Sequence, residues 1–120
     1  MHHDLSCYLK KFLLAASICF FGGCNSMFYY PDKETYLKPS DLKTRVDNAV
    51  IKVADGEKLQ AWILPPSQAA KGVVVQFHGN AQNMTAHVAF VHWLIKYGYY
   101  VVAFDYRGYG GSTGDPDRKG

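Results

Sequence analysis

Cysteine is scarce and confined to one place: the chain has three, Cys7, Cys19 and Cys24, all within the first 24 of its 120 residues. No disulfide framework and no thiolate metal cluster can be read beyond that point. Excess charge is missing as well. Beyond residue 23, eleven Lys/Arg face nine Asp/Glu, a net of +2. A nucleic-acid-binding surface needs a far stronger basic bias, so no nucleic-acid partner is expected. The first apolar run, Phe12 to Phe21, is ten residues long, too short to cross a bilayer by itself. There are no internal repeats and no low-complexity tracts. With 48% apolar and 19% charged residues, one globular domain is the most that this length can build.

What is present begins with an export pattern. Lys10-Lys11 supply a charged start, Phe12 to Phe21 an apolar core, and Gly22-Gly23-Cys24 a small-small-Cys ending. That ending resembles the lipobox of bacterial lipoproteins, although Phe21 stands where Leu is usual. The resemblance implies a thiol acylated at Cys24, which becomes the first mature residue, and hence a membrane partner and a place in the bacterial cell envelope. Two other readings stay open. An uncleaved anchor could run from Phe12 toward Tyr30, since Gly22 to Ser26 interrupt the apolar run without charge. A buried helix is the third.

Asn25 to Leu42 carries aromatics, two prolines and no sustained period, which predicts an extended tether or a segment draped over the domain. Next, Asn48 to Val53 alternates weakly, Asp55-Gly56 is a strong hairpin signal, and Lys58 to Leu64 places Leu59, Ala61 and Ile63 on one face. Pro65-Pro66 ends this antiparallel hairpin, and Ser67 to Lys71 is a polar loop. The β-branched run from Val73 to Phe77 reads as a strand buried on both faces, hence central. After it, Met84, Val88, Val91 and Ile95 recur at spacings of four, three and four, one stripe of a helix. Tyr100 to Phe104 repeats the buried-strand pattern. Strand, helix and strand make a βαβ unit, with the loops that follow its strands, His78–Gln82 and Asp105–Gly114, placed where ligands bind in such units. The expected core is Val73, Val74, Val75 and Phe77, Val101, Val102 and Phe104, and the helix stripe.

Two motifs follow these strands: His78-Gly79-Asn80-Ala81 and Asp105-x-Arg107-Gly108-x-Gly110-x-Ser112. Paired at this spacing, and preceded by a hairpin, they resemble the front half of the α/β-hydrolase fold. The nearest likeness is to the serine-hydrolase branch with lysophospholipase-like and serine-aminopeptidase-like members, and it covers roughly Val46 to Gly120. The expected organisation is a signal sequence at 1–23, a tether or N-terminal extension at 24–45, and a partial α/β-hydrolase domain at 46–120, cut off before the nucleophile elbow. The resemblance implies hydrolysis of ester or amide bonds through a serine acyl-enzyme, with no cofactor and no metal. Acyl transfer develops a tetrahedral oxyanion, which needs preorganised N–H donors. By the resemblance, one donor is the Asn80 N–H, freed by a sharp turn at Gly79. The rival reading is a tight turn with a satisfied Asn80 side chain. His78 is expected to hold the loop rather than act as base, and Asp105, Arg107, Gly108 and Gly110 to fix the second loop; the other reading of Asp105 and Arg107 is a charge pair that serves a substrate anion. His87 and His92, on the helix, are expected to be bystanders.

Gly110-Gly111-Ser112-Thr113-Gly114 fits Gly-x-Ser-x-Gly letter for letter, yet lacks the apolar strand before it and the helix after it that a nucleophile elbow requires. Asp115 precedes a proline, which disfavours helix. The run also fails as a phosphate loop, because no Lys-Ser/Thr follows. The nucleophile, the acid and the histidine that the family places further along the chain are therefore not found. Family topology puts the nucleophile-bearing strand outside Val73–Phe77, so without it that apolar edge is bare. The expectation is an N-terminal fragment of a membrane-anchored serine hydrolase from a truncated or split reading frame, inactive alone and suited to a complementary C-terminal fragment. The alternative is a non-catalytic lipoprotein module that binds a partner through its open strand edge.

Overall fold

A computed structural model describes residues 28–117. The export pattern with Cys24 lies outside the described residues, as do residues 118–120. Along the described chain run β1 (Tyr30–Pro31), β2 (Asp47–Lys52), β3 (Lys58–Leu64), β4 (Gly72–Gln76), β5 (Ala81–Gln82), the helix α1 (Met84–His87) and β6 (Tyr99–Phe104). Turns of 3-10 helix occupy Pro39–Leu42, Val88–Phe90 and His92–Tyr97.

β2 and β3 form the antiparallel hairpin that Asp55-Gly56 predicts, from Asp47 opposite Ile63 to Lys52 opposite Lys58. β3 then pairs antiparallel with β6, and β6 pairs parallel with β4, giving the order β2-β3-β6-β4. The parallel pair flanks a helical crossover, as the sequence periods require. That crossover is broken rather than continuous. Asn83 caps α1 by accepting the Thr85 N–H at 3.0 Å, but Val91, at φ −127°, interrupts the spiral between two tight turns. β-Branched and aromatic side chains, which lose rotamer freedom in a helix, crowd this stretch from Val88 to Trp93.

The core is the layer between sheet and crossover. Trp62, Leu64, Val101 and Ala103 pack from the sheet onto Met84, Val88 and Ile95, with Val91 and Leu94 partly buried against them. Each side chain of this size contributes about 1.5–3 kcal/mol when fully buried. Among the described residues only one face of the sheet is covered in this way, and that corrects part of the expected core. Val73, Val75 and Phe77 are 61%, 47% and 66% exposed, while Val74, Val102 and Phe104 are half-buried. β4 is an edge strand rather than a central one, and β6 takes the central place. The β-branched run does form a strand, but register puts Val73 and Val75 beside Tyr100 and Val102, on the face over which no described helix packs. A strand that the sequence marks as buried on both faces thus has, among the described residues, one face packed and one bare.

The segment before β2 is drawn over the sheet's end. β1 pairs in parallel with β5, Tyr30 opposite Ala81. The Asn83 side chain donates to the Asp32 and Glu34 carbonyls at 3.2 and 2.7 Å, and the Tyr36 N–H donates to Thr85 Oγ1 at 3.1 Å.

Candidate active site

Because β4 and β6 are adjacent and parallel, the loops at their C-terminal ends, 77–82 and 105–114, lie side by side. His78 joins them. Its side chain is fully buried, with Nδ1 2.8 Å from the Gly79 carbonyl oxygen and Nε2 accepting the Tyr106 N–H at 3.3 Å. An acceptor at Nε2 leaves Nδ1 to carry the proton, so the neutral Nδ1–H tautomer fits both contacts. Burial holds the imidazole neutral by lowering its pKa; the Gly79 contact and the Asp105 carboxylate oppose this and the His87 ring adds to it. Asp105 Oδ1 lies 3.8 Å from Nε2, too far for a hydrogen bond, and with a neutral ring the two form no ion pair.

The Gly79 contact fixes the next peptide. All described peptides are trans, and in a planar trans unit the N–H points opposite to the C=O. With the Gly79 carbonyl turned to His78, the Asn80 N–H is turned away, and it donates to no acceptor among the described residues. The Asn80 carbonyl is held on its own side by the Tyr109 hydroxyl at 2.7 Å and the Tyr30 N–H at 2.9 Å. Asn80 Nδ2 donates to the Phe28 carbonyl at 3.0 Å, so its side chain is satisfied as well. Gly79 does not take a left-handed conformation, and a Cβ there would meet only His87 Cε1 at 3.7 Å. The chain bends at Asn80, directly after Gly79, without a left-handed glycine; the positive φ of this loop falls on Gln82, at 61°.

Asp105 is the hub of the second loop. Its buried carboxylate accepts the Met84 N–H at 2.7 Å on Oδ1 and the Gly111 N–H at 3.2 Å on Oδ2, tying the crossover to the loop. Gly110, at φ +45°, passes so close that a Cβ would sit 2.0 Å from Asp105 Oδ2. Gly108, at φ +76°, faces Pro116 with only 2.7 Å to spare for a Cβ. Arg107 reaches the hairpin and pairs with Asp55 rather than with Asp105.

Ser112 is buried among backbone groups. Its Oγ donates to the Asp105 carbonyl at 2.8 Å and accepts the Gln60 N–H at 3.0 Å, and no imidazole among the described residues bonds to it. A serine bonded in this way is a strut between β3 and β6, not a nucleophile awaiting a base. His87 stacks edge-on against His78 and Phe90, and His92 Nδ1 lies 3.0 Å from the Ala89 carbonyl oxygen. Among the described residues, no three His, Cys, Asp or Glu side chains gather to hold a metal.

The tyrosines of Asp-Tyr-Arg-Gly-Tyr-Gly were not singled out from sequence. Tyr106 donates its hydroxyl to the His78 carbonyl at 2.7 Å and Tyr109 does the same to Asn80, so both brace the first loop from the second. Their signal was their place inside the motif, at the unspecified positions.

Strand order, crossover and the two bridged loops define the front part of an α/β-hydrolase, and the comparisons agree. The family described as "Serine aminopeptidase, S33" matches residues 68–118. The uncharacterized protein YfhR of Escherichia coli is 37% identical over 99 residues, 79% of this chain and 34% of that one. Lysophosphatidylserine lipase ABHD12 of Gallus gallus is 36% identical over 92 residues, 71% of this chain and 24% of its own length. A solved esterase of Pyrococcus furiosus superposes with a TM-score of 0.61 at 28% identity, over 73% of this chain and 36% of the esterase. The chain thus carries the N-terminal part of an α/β-hydrolase fold and spans about a quarter to a third of the length of these curated relatives.

Proposed function

We propose that this chain is the N-terminal portion of a membrane-anchored serine hydrolase, that it contributes the Asn80 N–H to the oxyanion hole, and that the nucleophile, acid and catalytic histidine come from a complementary C-terminal portion. The bonds cleaved are esters, the class acted on by the esterase and the lipase it resembles. One observation carries the reading: at the end of β4, an edge strand among the described residues, an N–H is turned away from His78 by its own peptide's bond to that ring and has no acceptor among the described residues. A donor fixed before the charge develops is what oxyanion stabilisation needs, because no reorganisation is required as the charge forms.

The open edge and bare face fit the same reading. In an α/β sheet with parallel strands both faces are normally covered, so Val73, Val75 and Phe77 mark where further strands and helices pack. The bare edge equally favours the second reading, a lipoprotein module that captures a partner strand without catalysis. Anchoring through a lipidated Cys24 belongs to both, and a Cys24→Ala chain that incorporates as much fatty-acid label as the parent would dismiss it.

A fluorophosphonate probe separates the two. The purified chain alone should stay unlabelled; mixed with the C-terminal remainder of the Pyrococcus furiosus esterase, it should restore stoichiometric labelling and p-nitrophenyl ester turnover. A mixture that forms a stable complex and stays unlabelled supports the binding module instead.

A further inference from the structure

Between Glu57 and Asp105 the chain contains no Asp or Glu, yet it carries Lys58, Lys71 and Lys96. The helical crossover lies within this stretch, and its outward side is aromatic. Phe90, Trp93 and Tyr97, at spacings of three and four, are 70%, 48% and 57% exposed. Trp93 stacks edge-on with Tyr97 at 5.7 Å and donates Nε1–H to the Phe90 carbonyl at 2.8 Å, which joins the three into one patch. A groove of about 270 Å³ runs alongside, lined by Trp93, Lys96 and His92 from the crossover and by Lys43 and Thr44 from the turn before β2. No carboxylate lines it. Lys71 sits at the same end, its N–H bonded to the Gly98 carbonyl at 2.7 Å. Of the acidic side chains near Lys43 in sequence, Asp41 turns back to accept the Lys38 N–H at 2.8 Å and Asp47 pairs with Arg45 at 2.9 Å.

We propose that this face docks on an anionic lipid bilayer. Trp and Tyr are amphipathic rings that favour the headgroup level, where an apolar body meets a wet edge. Lysines around such rings add attraction to anionic headgroups, and the missing carboxylates remove the repulsion that would oppose it. Phe90, which has no polar atom, enters furthest. The face lies on the opposite side of the crossover from the sheet, so it stays separate from the bare β4 face assigned to the complementary portion. It does not rest on that assignment. Binding of this kind is weak for a single element, and stable attachment takes a second signal; the apolar N-terminal run is such a second element.

The test is Trp93 fluorescence of the full chain with vesicles of phosphatidylcholine and phosphatidylglycerol whose acyl chains carry bromine. The expected result is a blue shift with quenching, both lost in Trp93→Phe, a change at a half-exposed position that leaves the fold intact. Lys96→Gln should weaken vesicle partitioning about fivefold, the effect of one basic group near a charged surface. Pure phosphatidylcholine should quench much less. The proposal is overturned if vesicle-bound chain shows unquenched Trp93, if the chain fails to bind, or if neutral vesicles quench equally and Lys96→Gln changes nothing. It is likewise overturned if Trp93 is shielded by a second copy of the chain or by the complementary portion, which sedimentation in the absence of lipid would reveal.

Discussion

His78 Nδ1 lies 2.8 Å from the carbonyl oxygen of Gly79, its own neighbour in sequence, and that contact sets the direction of the Asn80 N–H one residue further on. On the proposed reading, a histidine in this position serves the chemistry by orientation rather than by proton transfer. Side chains that keep a donor at the Nδ1 position should therefore keep the geometry. His78→Asn presents an amide N–H there and His78→Phe presents none. In the complemented enzyme, fluorophosphonate labelling should slow by as much as about a hundredfold for Phe and by much less for Asn, within the range for losing one oxyanion donor. Equal rates for the two would remove His78 from the account.

Acid should weaken the fold through the same ring. Burial lowers the His78 pKa below the ordinary 6.5, so the unfolded chain takes up a proton at a higher pH than the native one does. Stability is then intact above about pH 6.5, falls as the pH drops below it, and levels off only once the native ring is protonated. Thermal melts between about pH 7.5 and pH 5 should show this decline, and His78→Asn should flatten it. A melting temperature that rises as the pH falls would contradict the assignment of a neutral ring.

Two neighbouring glycines should respond differently to alanine. At Gly110 a Cβ meets the Asp105 carboxylate at 2.0 Å with φ at +45°; at Gly111 it meets Gln60 Oε1 at 1.9 Å, the far end of a flexible side chain. The carboxylate is held by two N–H groups and cannot yield without unpairing them, whereas Gln60 can swing aside. Gly110→Ala should cost about 2–4 kcal/mol by strain and lost hydrogen bonds, and Gly111→Ala under about 1 kcal/mol. Denaturant midpoints at constant slope would check this.

Phe77 distinguishes the chain alone from the completed fold. A core phenylalanine costs about 3–5 kcal/mol when cut to alanine, but Phe77 is two-thirds exposed and touches Phe104 edge-on at 5.4 Å. In the isolated chain Phe77→Ala should cost about 1 kcal/mol or less, the worth of one aromatic pair. With the complementary portion present the cost should rise toward the buried value. No rise would mean that this face stays bare.

The hairpin, the parallel pair and the crossover stripe of Met84, Val88 and Ile95 were legible because local period and turn chemistry decide them. The exposure of Val73, Val75 and Phe77 was not. Alternation cannot show that one face of a strand lacks its cover, since a run of β-branched residues carries no record of which elements pack over it. The His-Gly-Asn loop was legible as a motif, but its mechanism was not: the turn was expected at Gly79, whereas the orientation comes from the His78 ring, with Tyr106 and Tyr109 bracing from the second loop. The His78–Gly79 contact is between neighbours, but the ring is held by contacts to Tyr106 and the loop by Tyr106 and Tyr109, 28 or more positions away, which no local pattern records. Ser112 was legible as a doubtful nucleophile from its neighbours, and its bonds to Asp105 and Gln60 give the physical reason.

The most direct test asks whether the Asn80 N–H, and not the Asn80 side chain, stabilises the oxyanion. Proline at this position removes the N–H and alanine keeps it. In the complemented enzyme, with folding verified by thermal melt, Asn80→Ala should label with fluorophosphonate at close to the parent rate, and Asn80→Pro should fall by about a hundredfold or more. Equal rates for a folded Asn80→Pro, or labelling of the chain alone that vanishes in Ser112→Ala, would contradict the account.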